Sequence, residues 1–406
     1  MMSFWSCINF LRFHIFLTNC VYLLLGSSLL FSTHLRAGEQ GESDTVHVTI
    51  SQEVWGQYKG QDILRFTLQN QQGMQVSVIN WGAYVTSVRV PDRNGVIEDV
   101  ILGYDSAEAY VHDCCYNGAT VGRYANRIEG GRFVIDGKTI QLTVKADGGN
   151  KGNHLHGGEQ GFNKKLWQAR RVRNHVEMEY LSLDTEEGYP GNTLVKVLFS
   201  LTNNNEFKIS FSATSDKKTP INLISHMYFN LSGEQKRDIE QHQLRIAADH
   251  IVEVKAGLLP TGMLLPVVDT PFDLTSAVTL QQSLNTANEQ LKLAGGMDSH
   301  YGGFDHTWVF KQYDGKLRYQ AQLYDPDSGR QLDILTTQPG VQVYTGNFMN
   351  GSVTGKQGRP MKNRHGIALE TQHFADSVNH SNFPSTLLSP GETYTETTLY
   401  RFANRQ

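Results

Sequence analysis

Apolar side chains recur at every second position through most of this chain, and that period most constrains what it can fold into. Phe207, Ile209 and Phe211 alternate with polar residues, as do Val195, Val197, Phe199 and Leu201, and then Leu317, Tyr319, Ala321 and Leu323. A period of two places each series on one face of a β-strand. Between such segments stand Asn94-Gly95, Asp136-Gly137, Asp314-Gly315 and Ser328-Gly329, dipeptides suited to the two-residue turns of β-hairpins. Helical spacing is confined to Ser106–Tyr110 and Leu280–Leu293. Many antiparallel strands with few short helices predict an all-β chain, a large sandwich or barrel. No repeat or linker interrupts the pattern, so residues 46–406 read as one domain.

The first 37 residues differ. No acidic residue occurs before Glu39, and the apolar runs Cys20–Leu25 and Leu29–Phe31 have the length of a signal-peptide core. A membrane span needs roughly 20 apolar residues. Residues 1–37 are therefore read as a signal peptide cleaved near Ala37, or as an N-terminal membrane anchor built on 10–31. Either route exports the remainder, to a periplasmic or extracellular location. The sequons at Asn230, Asn350 and Asn379 bear on the choice. Two of them fall inside clusters of site-like residues, which suits the bacterial periplasm. Cys7 and Cys20 belong to the leader, leaving the neighbours Cys114 and Cys115. Adjacent cysteines bridge only with strain in the peptide between them, so the fold is not expected to depend on a disulfide framework. With 19% charged residues and a net charge of −4, the chain lacks the basic face that phosphate neutralisation demands, and nucleic acid is not expected as a partner.

Polar clusters interrupt the strand pattern. They are Gly122–Ile128, Asn153–Gly158, Asn222–Leu231, Gly303–His306, Gln338–Gln342 and Leu369–Phe374. His154 and His156 stand at the spacing of a strand-borne ligand pair, yet no cysteine or carboxylate accompanies them at ligand spacing, and neither metal nor cofactor is expected. Asn, Gln, Asp, Arg and His are the side chains that satisfy sugar hydroxyls. An aromatic such as Tyr228 covers the apolar face of a pyranose. Opening a cyclic hemiacetal needs a base for the anomeric hydroxyl and an acid for the ring oxygen, tasks suited to a carboxylate and a histidine.

In sequence the chain resembles the aldose 1-epimerase (galactose mutarotase) family. The resemblance runs from about Val46 to Phe402 and is carried by Gly122–Ile128, Leu155–Gly158, His226–Leu231, Phe304–His306, Gln338–Asn347 and Glu370–Asn379, then by Phe383-Pro384-Ser385 and Pro390–Tyr394. It implies an antiparallel β-sandwich with a cleft across one sheet, acting on free monosaccharides such as galactose or glucose as a monomer or homodimer. It implies Glu370 as the general base, His226 as the general acid and His156 as a supporting, sugar-binding histidine. Asn126, Arg127, Tyr228, Asp305 and Gln342 are implied as substrate-binding. The chain departs from the family's usual pattern at Cys114–Asn117, where an aromatic more typically precedes the glycine, and at Ala375 and Val378, where prolines are usual. Three other readings remain: a glycoside hydrolase using Asp305 with Glu370, a non-catalytic sugar-binding protein on the same fold, and a relative acting on a phosphorylated or otherwise modified sugar, for which Arg127 is the one basic candidate.

Overall fold

Three antiparallel sheets contain most of the strand residues in the computed structural model, which describes residues 48–146, 150–233, 235–295 and 302–405. The expected leader lies outside these residues. The largest sheet has nine strands. It runs from Gln168–Val172 through His175–Ser182, Thr193–Leu201 and Glu206–Ser215 to the C-terminal strand Tyr394–Asn404. Beyond that strand lie Arg330–Thr336, Arg318–Tyr324, Gln243–Ile246 and Val278–Thr279. Tyr394–Asn404 pairs with Glu206–Ser215 on one side and Arg330–Thr336 on the other, so the last strand in sequence stitches two distant halves together. A second sheet of six strands contains Tyr228–Phe229, Ile367–Gln372, Gly340–Tyr344, Asp305–Phe310, Ala248–Lys255 and Leu259–Pro266 in that spatial order. A third, of five strands, is an N-terminal meander over residues 49–99.

The alternating residues face a core shared by all three sheets. Val195, Val197, Phe199 and Leu201 are at most 1% exposed. They join Phe66 and Val76 of the meander and Val341, Val343 and Leu369 of the six-stranded sheet in one apolar cluster. Each such side chain contributes roughly 1.5–3 kcal/mol through removal from water. A polar seam joins the layers as well. Thr371 and Thr398 share a hydroxyl hydrogen bond of 2.6 Å, and Thr398 meets Thr336 at 3.0 Å. The architecture is thus the sandwich named as one of the two sequence-derived options.

Four local expectations are modified. The series beginning at Leu317 does not share one face. A bulge between Tyr319 and Ala321 shifts the register, leaving Leu317 and Tyr319 exposed while Ala321 and Leu323 are buried. Asp314-Gly315 is not a hairpin, because the strands it joins lie in different sheets; the other three dipeptides do separate paired strands. Ser106 caps the helix Ala107–Val111 as its hydroxyl accepts from the Ala109 amide. The stretch 280–293 is two short helices, Leu280–Leu284 and Glu289–Leu293, because the Asn288 side chain caps the second and restarts the chain there.

Candidate active site

The six-stranded sheet supplies a rigid floor. Directly opposed residues in an antiparallel ladder project to the same face. Thr307 opposes Gln342, and Gln342 opposes Glu370, forming one row. A second row is Asp305, Tyr344, Ala368 and Tyr228. The intervening residues His306, Val343 and Leu369 point the other way, into the core. Period-two geometry therefore delivers the polar residues of three sequence clusters to one surface.

Two further segments form the walls. Ile224–Ser225 pairs with Thr120–Val121, and the ladder extends to His226, whose amide donates to the Ala119 carbonyl at 2.9 Å while its carbonyl accepts from Gly118 at 2.9 Å. The other wall joins Arg127–Ile128 to His154–Leu155. Beyond that pairing the chain turns at His156, which has φ 51°, opposite Asn126 at φ 64°. The Asn126 amide donates to His156 Nδ1 at 3.2 Å. That acceptor role leaves the neutral imidazole's proton on Nε2. The turn requires glycine at 157, where a Cβ would lie 1.8 Å from the Gly122 carbonyl oxygen.

Together these elements enclose a cavity of about 380 Å³ lined by Asn126, Arg127, His156, His226, Asp305 and Glu370, with Tyr228 and Tyr344 beside them. His226 Nε2 lies 3.5 Å from Glu370 Oε1. One ligand atom from each of His156, His226 and Glu370 falls within 4.8 Å of the others, a donor set that could also take a cation. His226 Nδ1 and Glu370 Oε2 are buried without a hydrogen-bond partner among the described residues. Burial, and then the nearby Asp305 carboxylate, raise the Glu370 pKa well above the usual carboxylate range. Burial lowers His226 to about 4. Burial, followed by the neighbouring His226, holds His156 well below an ordinary imidazole. All three environments disfavour charge, as expected of a proton-handling site shielded from water.

Asp305 is tethered. Arg127 Nη2 meets its Oδ2 at 3.3 Å, and Gln342 Nε2 donates to its Oδ1 at 2.5 Å. Arg127 is in turn aimed by Asn150 Oδ1 at 2.8 Å and Asn126 Oδ1 at 3.1 Å. Gln342 stands behind Asp305, its oxygen accepting from Thr307 at 2.5 Å, and is not part of the cavity lining.

Of the eight residues expected at the site, seven therefore line one cavity and Gln342 buttresses it. His154 and His156 do not form a ligand pair. The strand ends at Leu155, and the His154 ring turns away to the Thr143 carbonyl at 2.7 Å and the Tyr189 hydroxyl at 2.6 Å. Sequence reasoning assigned no place to Asn150, Tyr116 or Tyr344. Tyr344 was within reach, since it sits two residues beyond Gln342 on the same face. Tyr116 and Asn150 come from irregular loops that carry no periodic signal.

Residues 65–401 match the family model described as aldose 1-epimerase. The chain is 40% identical to rat galactose mutarotase over 358 residues, which cover 88% of this chain and 99% of the relative. It is 36% identical to the aldose 1-epimerase of Escherichia coli K12, covering 84% and 96% respectively. The solved structure of galactose 1-epimerase from Lactobacillus acidophilus superposes with a TM-score of 0.75 at 26% identity, covering 88% of this chain and all of that one.

Proposed function

The chain belongs to the aldose 1-epimerase family, isomerases that interconvert the α and β anomers of aldoses, and we propose that Glu370 and His226 carry out the two proton transfers which that reaction requires. The observation that carries this reading is the 3.5 Å approach of His226 Nε2 to Glu370 Oε1 inside a cavity of monosaccharide size. The sugar enters as the cyclic hemiacetal. Glu370 takes the proton from the anomeric hydroxyl, and His226 gives one to the ring oxygen, so the bond between that oxygen and the anomeric carbon breaks. The open-chain aldehyde turns about its first carbon–carbon bond. Reclosure reverses both transfers: His226 recovers the proton from the former ring oxygen, and Glu370 returns one to the carbonyl oxygen, now on the opposite face. Every step is a proton transfer between groups that this chain supplies.

The remaining residues position the ring. Arg127, Asn126 and Asp305 present donors and acceptors to hydroxyls, and the Tyr228 ring, 4.9 Å from that of His226, covers an apolar edge. The His156 Nε2–H is directed to the sugar as a donor. As for the hydrolase reading, the relatives are named as mutarotases and epimerases, and both oxygens of Asp305 are already engaged, by Arg127 and by Gln342.

Free galactose or glucose is the proposed substrate. The test is polarimetry on freshly dissolved α-D-galactose and α-D-glucose. Acceleration over the spontaneous rate by the native protein, and not by Glu370→Gln, supports the assignment. Binding without acceleration points to a non-catalytic sugar-binding protein. We also propose that the protein is exported, on the strength of the acid-free, apolar 37-residue leader; cell fractionation finding it wholly in the cytosol would overturn this.

A further inference from the structure

One feature of the cavity wall has no part in proton transfer. Cys114 and Cys115 both line the cavity. They are free thiols, Cys114 exposed and Cys115 half-buried, with sulfurs 2.6 Å apart. The residue that follows them, Tyr116, lies against both histidines of the site. Its ring is 4.7 Å from His156 and stacks on His226 at 5.9 Å with an interplanar angle of 25°. Tyr116 has φ 59°, a conformation unfavourable for an aromatic residue.

The loop is pinned at both ends by one buried carboxylate. Asp113 Oδ1 accepts from the Tyr104 hydroxyl at 2.6 Å, the Cys115 amide at 3.0 Å and the Asn117 side chain at 3.1 Å. Its Oδ2 accepts from the Tyr84 hydroxyl at 2.9 Å and the Asn117 amide at 3.0 Å. Any rearrangement between Asp113 and Asn117 must therefore be absorbed by Cys114, Cys115 and Tyr116. The hydrogen bond from Cys115 lowers the Cys114 thiol below an ordinary cysteine, which favours the thiolate that attacks disulfides.

We propose that Cys114 and Cys115 form a reversible vicinal disulfide that acts as a redox gate on the sugar cavity. The oxidant is a low-molecular-weight disulfide. Cys114 thiolate attacks one of its sulfurs, releasing one small thiolate and leaving a mixed disulfide on Cys114. Cys115, losing its proton, then attacks Cys114 Sγ and expels the second small thiol. Two protein thiols are oxidised to one disulfide, and one small disulfide is reduced to two thiols. The new ring, closed between neighbouring residues, constrains the intervening peptide. Because Asp113 and Asn117 are held, the change is passed to Tyr116 and from there to the rings of His156 and His226. The oxidised form binds sugar more weakly. This rests on the cavity being the sugar site.

The experiment incubates the full chain with oxidised glutathione or with a reductant. Peptide mapping reads the Cys114–Cys115 segment, apart from Cys7 and Cys20, and calorimetry reads galactose binding. The expected result is loss of two hydrogens from that peptide with no adduct, together with a galactose Kd raised about tenfold and restored by reductant. Cys114→Ser, which lacks the attacking thiolate, should show the same Kd under both treatments, whatever that value is, and Cys115→Ser should stop at a mixed disulfide on Cys114 with no internal bond. A peptide that keeps both thiols, or carries only mixed disulfide, overturns the proposal, as does an internal disulfide with unchanged Kd. No galactose binding in either state would remove the sugar site and the gate with it. Binding without anomer exchange would count against the catalytic assignment alone.

Discussion

The pH profile of turnover tests the Glu370–His226 pair most directly. Burial moves His226 from 6.5 to about 4, a bias of roughly 3 kcal/mol against the imidazolium. Glu370 is displaced the opposite way, and also mainly by burial. The productive pair holds one proton, which resides on His226 before ring opening and on Glu370 after it. Below about pH 4 the pair holds two protons and Glu370 has no capacity to accept another. Above the raised pKa of Glu370 the pair holds none and His226 has nothing to give. We therefore expect kcat/KM to be level through neutrality, to fall on the acid side with an apparent pKa near 4, and to fall on the alkaline side well above the ordinary carboxylate range. The assay is polarimetry with the spontaneous rate subtracted at each pH, and circular dichroism to confirm that the fold persists. That control matters because a histidine with a depressed native pKa contributes stability above its unfolded value of 6.5, which is lost as pH falls towards 4. An acid inflection between about 6 and 7 in a folded protein would show His226 titrating like an exposed imidazole, and the reasoning from burial would be refuted.

Glu370→Gln keeps the shape of the side chain but cannot take a proton, so kcat should fall about 10²- to 10⁴-fold with KM little changed; near-native turnover would remove Glu370 as the base. His226→Asn should behave similarly under the same polarimetric assay. Asp305→Asn weakens the contact with Arg127, and should raise KM about tenfold with a modest effect on kcat; a collapsed kcat at constant KM would give Asp305 a chemical role. Because His156, His226 and Glu370 form a compact donor set, added Zn²⁺ should inhibit by occupying the lone pairs that proton transfer needs, whereas dialysis against a chelator should leave turnover intact. Activity lost to the chelator and restored by metal would overturn the metal-free reading.

The parts of the fold and site that could be read from sequence are those governed by strict alternation. Val195 to Leu201 and Phe207 to Phe211 are buried as their period requires. The same rule, applied to Asp305, Gln342 and Glu370, places them on one face once the strands are paired. What failed to show in the sequence depends on events that change the count of residues or the partner sheet. The bulge at Tyr319 moves two apolar side chains to solvent. Asp314-Gly315 has the chemistry of a hairpin turn but carries the chain between sheets. Gln342 illustrates a different limit. Its residue type suits a sugar hydroxyl, yet the structure gives its amide to Asp305 and Thr307. Residue type and resemblance pointed to the site's members, whereas the assignment of cavity lining and support needed the geometry.

That geometry suggests why the proton carriers come from separate elements. Glu370 rises from Ile367–Gln372, paired opposite Gln342 along the ladder with Gly340–Tyr344 and flanked by Tyr228–Phe229 at 367–368, where backbone motion is restricted. His226 is held by backbone hydrogen bonds on a short ladder that belongs to a different sheet. Two carriers on one strand would project on the same face at a separation set by the pleat, whereas carriers on opposed walls can approach a ring from different sides. Anomer exchange needs that freedom, since the anomeric hydroxyl and the ring oxygen are distinct atoms that must gain and lose protons in a coordinated way. The desolvation that makes both carriers reluctant to be charged also favours the neutral pair, with the proton on Glu370, which is the form reached when the ring is open. The environment thus stabilises the proton arrangement of the open-chain intermediate over that of either cyclic anomer.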